Sequence, residues 1–302
     1  MVKGIKSMGI INFINNFRYL FRYNLKNIYK NTEDFQYAID HVKYEIEEDL
    51  KQIPRITIKS NEEALNKLLN SNCSLSRFGD GEMTLICETD IPSQKASKLL
   101  AEKLKKVLQD SNKELIIGIQ PICESLMKSS ESSKNFTRRI VSKYKPYFSR
   151  FLKENYDYYN VGFTMPYMYT GADGNRTEYL CNYYDKFREL WNNKDIIIVC
   201  GERVFKNIKY NIYDNAKSIE YIYGPTNNAF VDYDKILNSI LEKDKNKLVI
   251  LILGATATVL AHDLSKKGFR ALDLGHLGKD YDAFRKKLTA DSNAIKNFYK
   301  PE

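Results

Sequence analysis

Two carboxylates stand one residue apart in Arg77-Phe78-Gly79-Asp80-Gly81-Glu82. Cys73–Ser76 reads as a strand ending at this hexapeptide. In extended backbone, residues i and i+2 point to the same side, so Asp80 and Glu82 can offer oxygens together to a hard divalent cation. Gly79 and Gly81 allow a tight path and close approach of a ligand. Arg77 presents a planar fork suited to phosphate. An isolated Asp-x-Glu is equally readable as a solvated turn, because short motifs match often by chance.

A second group follows the apolar run Leu248–Leu253, in Gly254-Ala255-Thr256-Ala257-Thr258-Val259. A buried strand there passes through small residues into a helix. Free N–H groups and the helix dipole at such a start suit a phosphate, with Thr256 and Thr258 as hydroxyl donors. A plain threonine cap explains the same residues. The third group is Asp273-Leu274-Gly275-His276-Leu277-Gly278-Lys279-Asp280-Tyr281-Asp282. His276, between two glycines and past a strand, has carboxylates nearby. A nitrogen ligand among oxygens favours Mn²⁺ over Ca²⁺ and leaves Mg²⁺ open. The other histidines, His41 and His262, fall in helical patterns and read as structural.

These groups need a scaffold. Leu115–Ile119, Ile196–Val199, Leu248–Leu253 and Ala271–Leu274 read as short buried strands, and Arg55–Ile58 as another. Helical patterns occupy 33–52, Asn61–Asn70 behind a Ser60 or Asn61 cap, Ser93–Leu108, 131–153, 176–192, 232–243 and 257–267. Alternating strands and helices predict an α/β fold, a Rossmann-like, mostly parallel sheet with helices on both faces. Ligands of such sheets bind beyond the carboxyl ends of the strands, where all three groups fall. The tyrosine-rich stretch 155–185 reads as connections folded over that cleft, offering rings and hydroxyls to a sugar.

The 302 residues include 47 Lys and Arg against 38 Asp and Glu, a net charge of +9. Residues 1–30 hold six basic residues and no acid, so the rest is near balance. That distribution argues against a nucleic-acid partner, whose basic surface normally lies on the folded domain. The same stretch spaces Ile10, Ile14, Phe17, Phe21, Leu25 and Ile28 by three and four, a basic amphipathic helix. It suits an anionic membrane surface; packing on the body or in a homo-oligomer suits it too. Two domains are expected, the arm at 1–30 and a single catalytic domain at 31–302. Five scattered cysteines give no disulfide or zinc pattern, consistent with a cytoplasmic protein, peripheral on the inner membrane face if the arm binds lipid.

Taken in order, Arg77–Glu82, Ile196–Gly201, Asn227–Phe230, Ala255–Leu264 and Ala271–His276 resemble the GT-D-fold glycosyltransferases, once catalogued as domain of unknown function 1792. The resemblance covers roughly 56–290. It implies a GT-D-type catalytic domain that moves a sugar from a nucleotide donor, UDP-glucose by default, to a glycan or lipid-linked oligosaccharide in surface polysaccharide or glycoprotein glycan synthesis. It also implies a metal motif at Asp80 and Glu82, a Gly-His motif at Gly275 and His276, and acids at Asp280 and Asp282. The chain departs from the family at 203–211, which lacks the usual glycines, and at Thr164-Met165-Pro166-Tyr167.

The combined expectation is a hexosyltransferase dependent on Mn²⁺ or Mg²⁺. Asp80, Glu82 and His276 hold the metal. Arg77, Gly79, Gly254, Thr256 and Thr258 bind the donor, and Asp280 or Asp282 serves as base or completes the metal shell. Two other readings remain at this point: a metal-dependent phosphoesterase, and a non-catalytic sugar-nucleotide-binding protein.

Overall fold

The computed structural model describes residues 25–42, 56–120, 134–135, 150–170 and 177–288. The chain divides into two compact units, one of Met1–Ile53 with Ile122–Lys145 and one of Pro54–Pro121 with Pro146–Glu302. In the first, Leu25–Val42 forms helix α1. This helix runs through residue 30, so the expected boundary falls inside it, and the division lies at Pro54 instead. Most of the apolar row expected from Ile10 onward lies outside the described residues, as does most of the helix expected over 131–153.

The second unit is built on eight strands: β1 (Thr57–Lys59), β2 (Ser74–Phe78), β3 (Leu115–Ile119), β4 (Asp157–Asn160), β5 (Asp195–Gly201), β6 (Ser218–Gly224), β7 (Leu248–Ile252) and β8 (Ala271–Asp273). They form one sheet in the order β1-β4-β3-β2-β8-β7-β5-β6, every pairing parallel. Leu-Ile-Ile-Gly-Ile of β3 is buried along its whole length, and β5 and β7 nearly so. Such runs have no polar side because both faces are covered, which is the rule for parallel sheets.

Helices α2 (Asn61–Leu69), α3 (Asp80–Ile86), α4 (Lys98–Gln109), α5 (Pro166–Thr170), α6 (Thr177–Glu189), α7 (Tyr233–Leu241), α8 (Ala255–Ser265) and α9 (Leu277–Arg285) complete the unit. On one face Ile196, Ile198, Leu248 and Ile250 pack with α2 and α6 in a core that includes Trp191 and Tyr213. On the other, α8 lies on β2, β7 and β8 and is flanked by α4 and α7. Nearly every residue of α8 is buried, so its sequence has no polar stripe.

Local chemistry sets the helix starts. Ser60 and Glu63 form a reciprocal capping box on α2, with Ser60 N–H donating to Glu63 Oε2 at 2.8 Å and Glu63 N–H to Ser60 Oγ at 3.3 Å. Helix α4 begins at Lys98 and not Ser93, because Ile91 and Gln94 close a turn and Ser97 Oγ caps Leu100 N–H at 3.2 Å.

Two expectations need correction. Asp80–Glu82 is the first turn of α3, so the two carboxylates do not share the side that extended backbone would give them. The segment after His276, to which the pattern assigned no element, is helix α9. The tyrosine-rich stretch is in large part interior: Tyr158, Tyr167, Tyr183 and Tyr184 are buried, with the Tyr167 and Tyr184 rings against Phe284 and the Tyr183 ring against Phe187, while Tyr179 is exposed.

Candidate active site

Parallel register brings the carboxyl ends of β2 and β8 side by side, with Leu75 opposite Leu272. Arg77, near the end of β2, lies across this junction. Its Nη1 donates to Thr164 Oγ1 at 2.6 Å and its Nη2 pairs with Asp273 Oδ1 at 3.4 Å. The Thr258 hydroxyl lies 2.9 Å from the Arg77 carbonyl and 3.1 Å from Asp273 Oδ2, bracing both strands from α8. Burial pushes the Asp273 carboxyl up, and Arg77 and Thr258 draw it back towards ionisation.

Gly275 makes this placement of Arg77 possible. Its φ is +49°, and a Cβ built there would lie 1.7 Å from Arg77 Nη2. The guanidinium therefore rests on bare backbone. Among the described residues, Arg77 Nε is buried with no hydrogen-bond partner, and so is Thr256 Oγ1 in the first turn of α8. A buried donor left unmatched costs about 1–3 kcal/mol, so these two atoms mark where a polar ligand gains most. Gly254, which precedes α8, has φ +53° and open space where a Cβ would stand. Helix α8 thus begins beside open space on the Gly254 side, where its dipole favours an anion.

Glu82 curls back to accept the Gly79 N–H at 2.7 Å. Gly79 leaves room for this, since a Cβ there would lie 3.2 Å from Glu82 Oε2. Burial, then the negative Asp273, pushes the Glu82 carboxyl up to about 7, against the opposing pull of the Gly79 N–H and Arg77. A carboxyl in that range exchanges protons near neutrality. His276, half-buried just before α9, goes the other way. Burial, then the positive Arg77 and Lys279, lowers its imidazole to about 3, so it stays neutral. Asp80 is exposed at the start of α3.

Asp280 and Asp282 are placed differently from the expected base. Asp280 is fully buried, and its oxygens accept Tyr167 N–H and Met168 N–H at 3.0 Å each and the Tyr184 hydroxyl at 2.6 Å. Asp282 accepts Lys209 N–H at 3.0 Å, Tyr210 N–H at 2.9 Å and Lys286 Nζ at 2.5 Å. Both hold loops: Asp280 fixes the start of α5, and Asp282 fixes the 203–211 segment. Thr258 is likewise committed to bracing Arg77 and Asp273.

Arg77, Glu82 and His276 thus come together electrostatically, with Asp80 beside them on α3. Among the described residues no three His, Cys, Asp or Glu side chains form a ready-made metal site. The sequence reading passed over Thr164 and did not single out Asp273 as the partner of Arg77. A buried acid just ahead of a Gly-His pair was the available signal. Asn228 has a role of its own, with φ +56°. It donates its N–H to Ser93 O at 2.7 Å and accepts Lys95 N–H and Gln94 Nε2, latching the loop after β6 onto the loop after α3.

A profile of the glycosyltransferase GT-D fold matches residues 75–299, spanning every group above. The chain belongs to the GT-D-fold glycosyltransferase family. It is 30% identical over 232 residues to a protein described as "Probable glycosyl transferase Gly" from Streptococcus gordonii, covering 76% of this chain and 33% of that one. With "Glycosyltransferase GlyD" of Streptococcus pneumoniae it shares 24% identity over 233 residues, covering 77% of this chain and 28% of that protein. The chain therefore spans about a third of the length of the curated relatives it matches. Among solved structures, a new glycosyltransferase (DUF1792) from Streptococcus sanguinis aligns at 27% identity and TM-score 0.71, covering 82% of this chain and 93% of that one. A DUF1792 domain described as having a distinct glycosyltransferase fold aligns at 30% identity and TM-score 0.71, covering 82% and 90%. The GT-D fold expected from the sequence is thus the fold found, and Arg77, Thr258, Asp273 and Gly275, from three of the ordered motifs, meet at the β2–β8 junction.

Proposed function

We propose that this GT-D-fold protein transfers a hexose, glucose by default, from a UDP-sugar to a hydroxyl of a glycan acceptor in surface polysaccharide or glycoprotein glycan synthesis. The observation that carries this reading is the Arg77 fork, seated on Gly275 with a buried unmatched Nε, beside a proton-poised Glu82 and a neutral His276. In the transfer, the bond between the sugar C1 and the diphosphate oxygen breaks and leaves its electron pair on phosphate. Arg77, the N–H groups at the start of α8 and Thr256 Oγ1 stabilise that charge, without reorganising as it forms. The acceptor oxygen forms the new bond to C1. Its proton passes to Glu82, the acid whose surroundings suit the task best.

Metal dependence is part of the proposal. Mg²⁺ or Mn²⁺ can be bound by one or two carboxylates together with substrate phosphates, which requires no preassembled protein trio. Asp80 would hold it, with His276 as the neutral nitrogen donor and Glu82 reaching it through a bound water that leaves its carboxylate able to take the proton, and the ion would add positive charge at the diphosphate. Among the described residues no helix is long and apolar enough to cross a membrane. A lipid-linked acceptor would be met through the basic segment 1–30.

The test is a screen of UDP-, GDP- and dTDP-sugars for hydrolysis and transfer, with and without EDTA. Turnover of one donor class, lost in Asp80→Ala and Glu82→Ala, is the expected result. Undiminished turnover in both variants rejects the acid and metal roles, and release of inorganic phosphate without sugar transfer replaces the reading with a phosphoesterase.

A further inference from the structure

Four of the tyrosines expected to receive a sugar are buried, and the unit displays a stacked pair of rings to solvent elsewhere. Tyr221 and Tyr223 lie two residues apart on β6, so they share a face of the sheet. Both are exposed, at 38% and 53%, and their rings stack with centroids 5.8 Å apart and planes 7° from parallel. Strand β6 is the last in the sheet and pairs only with β5. The opposite face of the same strand carries Glu220, which is paired with Lys243 and Lys247 as an ordinary surface position.

The pair joins the active site through other rings. Phe205, in the loop after β5, meets Tyr221 edge-on at 6.1 Å and Tyr213 edge-on at 6.1 Å. Phe205 also lies against Gly278 in the first turn of α9, where a Cβ would stand 3.7 Å from its ring. His276 immediately precedes that turn. Asp282 fixes the backbone of this loop at Lys209 and Tyr210. A chain of contacts therefore runs from the turn after His276, through Phe205, to the two exposed tyrosines. It lies at the carboxyl edge of the sheet, since β6 ends at Gly224, in register with Gly201 at the end of β5.

We propose that the Tyr221–Tyr223 ring pair is the acceptor-side saccharide platform of this enzyme, taking a pyranose unit of the glycan that receives the sugar. The inference rests on the glycosyltransferase reading for the identity of its occupant. The chemistry is specific to a sugar. One face of a pyranose presents C–H groups, slightly positive, which match the negative face of an aromatic ring, while its hydroxyls stay in water or reach the phenol oxygens. A solvent-exposed pair of rings at the end of the sheet suits a polymer that extends beyond the site. A nucleobase would instead need a slot with directed hydrogen bonds at its edges. The platform stands three strands from β8, about 14 Å at the usual strand spacing, so the saccharide meeting it is an extended acceptor and not the transferred sugar.

The experiment is saturation-transfer NMR on the full chain without donor, using maltose, cellobiose and N,N′-diacetylchitobiose as probes. Wild-type protein transfers saturation to ring C–H protons of at least one disaccharide. The signal falls roughly fivefold or more in the Tyr221→Ala/Tyr223→Ala protein and persists in Tyr221→Phe/Tyr223→Phe, which keeps the rings. Melting curves of both variants check that the sheet edge is intact. Equal signals in wild type and the alanine variant overturn the proposal, as does absence of signal for every probe. Loss of the disaccharide signal on adding UDP alone assigns the rings to the donor base and overturns it too. A dimer in sedimentation that dissociates in the alanine variant, with no saccharide signal, assigns them to a second copy and has the same force. Because no donor is present, failure of donor turnover leaves this measurement standing, and the two readings fail separately.

Discussion

Replacing Gly275 by alanine tests how the site is assembled. The new Cβ would fall 1.7 Å from Arg77 Nη2, 2.8 Å from Cζ and 3.4 Å from Nη1. Ordinary contact begins near 3.4 Å, so Nη2 must retreat by as much again as the distance it now has. The guanidinium is planar and moves as one body, so the shift pulls Nη1 from Thr164 Oγ1 and Nη2 from Asp273. Loss of a charged hydrogen bond costs about 1.5–3 kcal/mol. The left-handed backbone at φ +49° adds about 1–2 kcal/mol for any residue with a Cβ. The sum is about 2.5–5 kcal/mol, or roughly 5–20 °C in melting temperature for a unit of this size.

Gly268 supplies the control. Its φ is +81° and nothing lies within 4 Å of the position of its Cβ. Gly268→Ala pays only the backbone strain, about 1–2 kcal/mol. Melting curves by circular dichroism and calorimetric titration with UDP are to be run on both variants. Gly275→Ala should melt well below Gly268→Ala and bind UDP at least tenfold more weakly, about 1.4 kcal/mol, with Gly268→Ala binding like wild type. Equal melting temperatures and equal UDP affinity in the two would show that the seat beneath Arg77 contributes nothing, and the argument for the fork would fall.

Two further predictions concern the acids on α9. Burial raises the Asp280 carboxyl from 3.8 to about 7, so between those values the folded protein holds a proton that the unfolded chain has lost. The stabilisation from this group is complete below about 3.8 and is lost as pH rises through about 7; urea unfolding from pH 5 to 8 should fall less steeply in Asp280→Asn than in wild type, and identical slopes would exclude this group as the source. Asp282→Ala removes the acceptor for two loop amides, so hydrogen exchange at Lys209 and Tyr210 should accelerate roughly tenfold or more, while amides of β7 stay protected; unchanged exchange at 209–210 would show that the loop is held by other means.

How much of this was legible beforehand depended on what carried the signal. Leu115–Ile119 and Leu248–Leu253 announced themselves because strands covered on both faces are continuous apolar runs. Strand β6 gave no such run. Ser-Ile-Glu-Tyr-Ile-Tyr-Gly alternates between a face carrying Glu220 and one carrying tyrosines, as an edge strand does, and it was passed over. With it went the exposed ring pair. Composition drew attention instead to the tyrosines of 155–185, of which Tyr158, Tyr167, Tyr183 and Tyr184 are buried. Richness in tyrosine says that large rings are present and nothing about which side of a helix faces water.

The sequence by itself determined the class of sheet, the order of the motifs and the likeness to GT-D-fold glycosyltransferases, because these follow from apolar runs, chain order and residue type. It also identified Arg77, Glu82, His276 and Thr256 as worth watching. Tertiary structure decided what each does. Asp80 and Glu82 were read as an extended pair and lie on a helical turn. Asp280 or Asp282 was read as the base or as completing the metal shell, and both anchor backbone amides. Asp273 and Thr164 became partners of one guanidinium across 196 and 87 positions of sequence. Hydrogen-bond partners and burial are properties of neighbours brought together by folding, and a carboxylate has the same letter whether it meets a substrate, a cation or a peptide N–H.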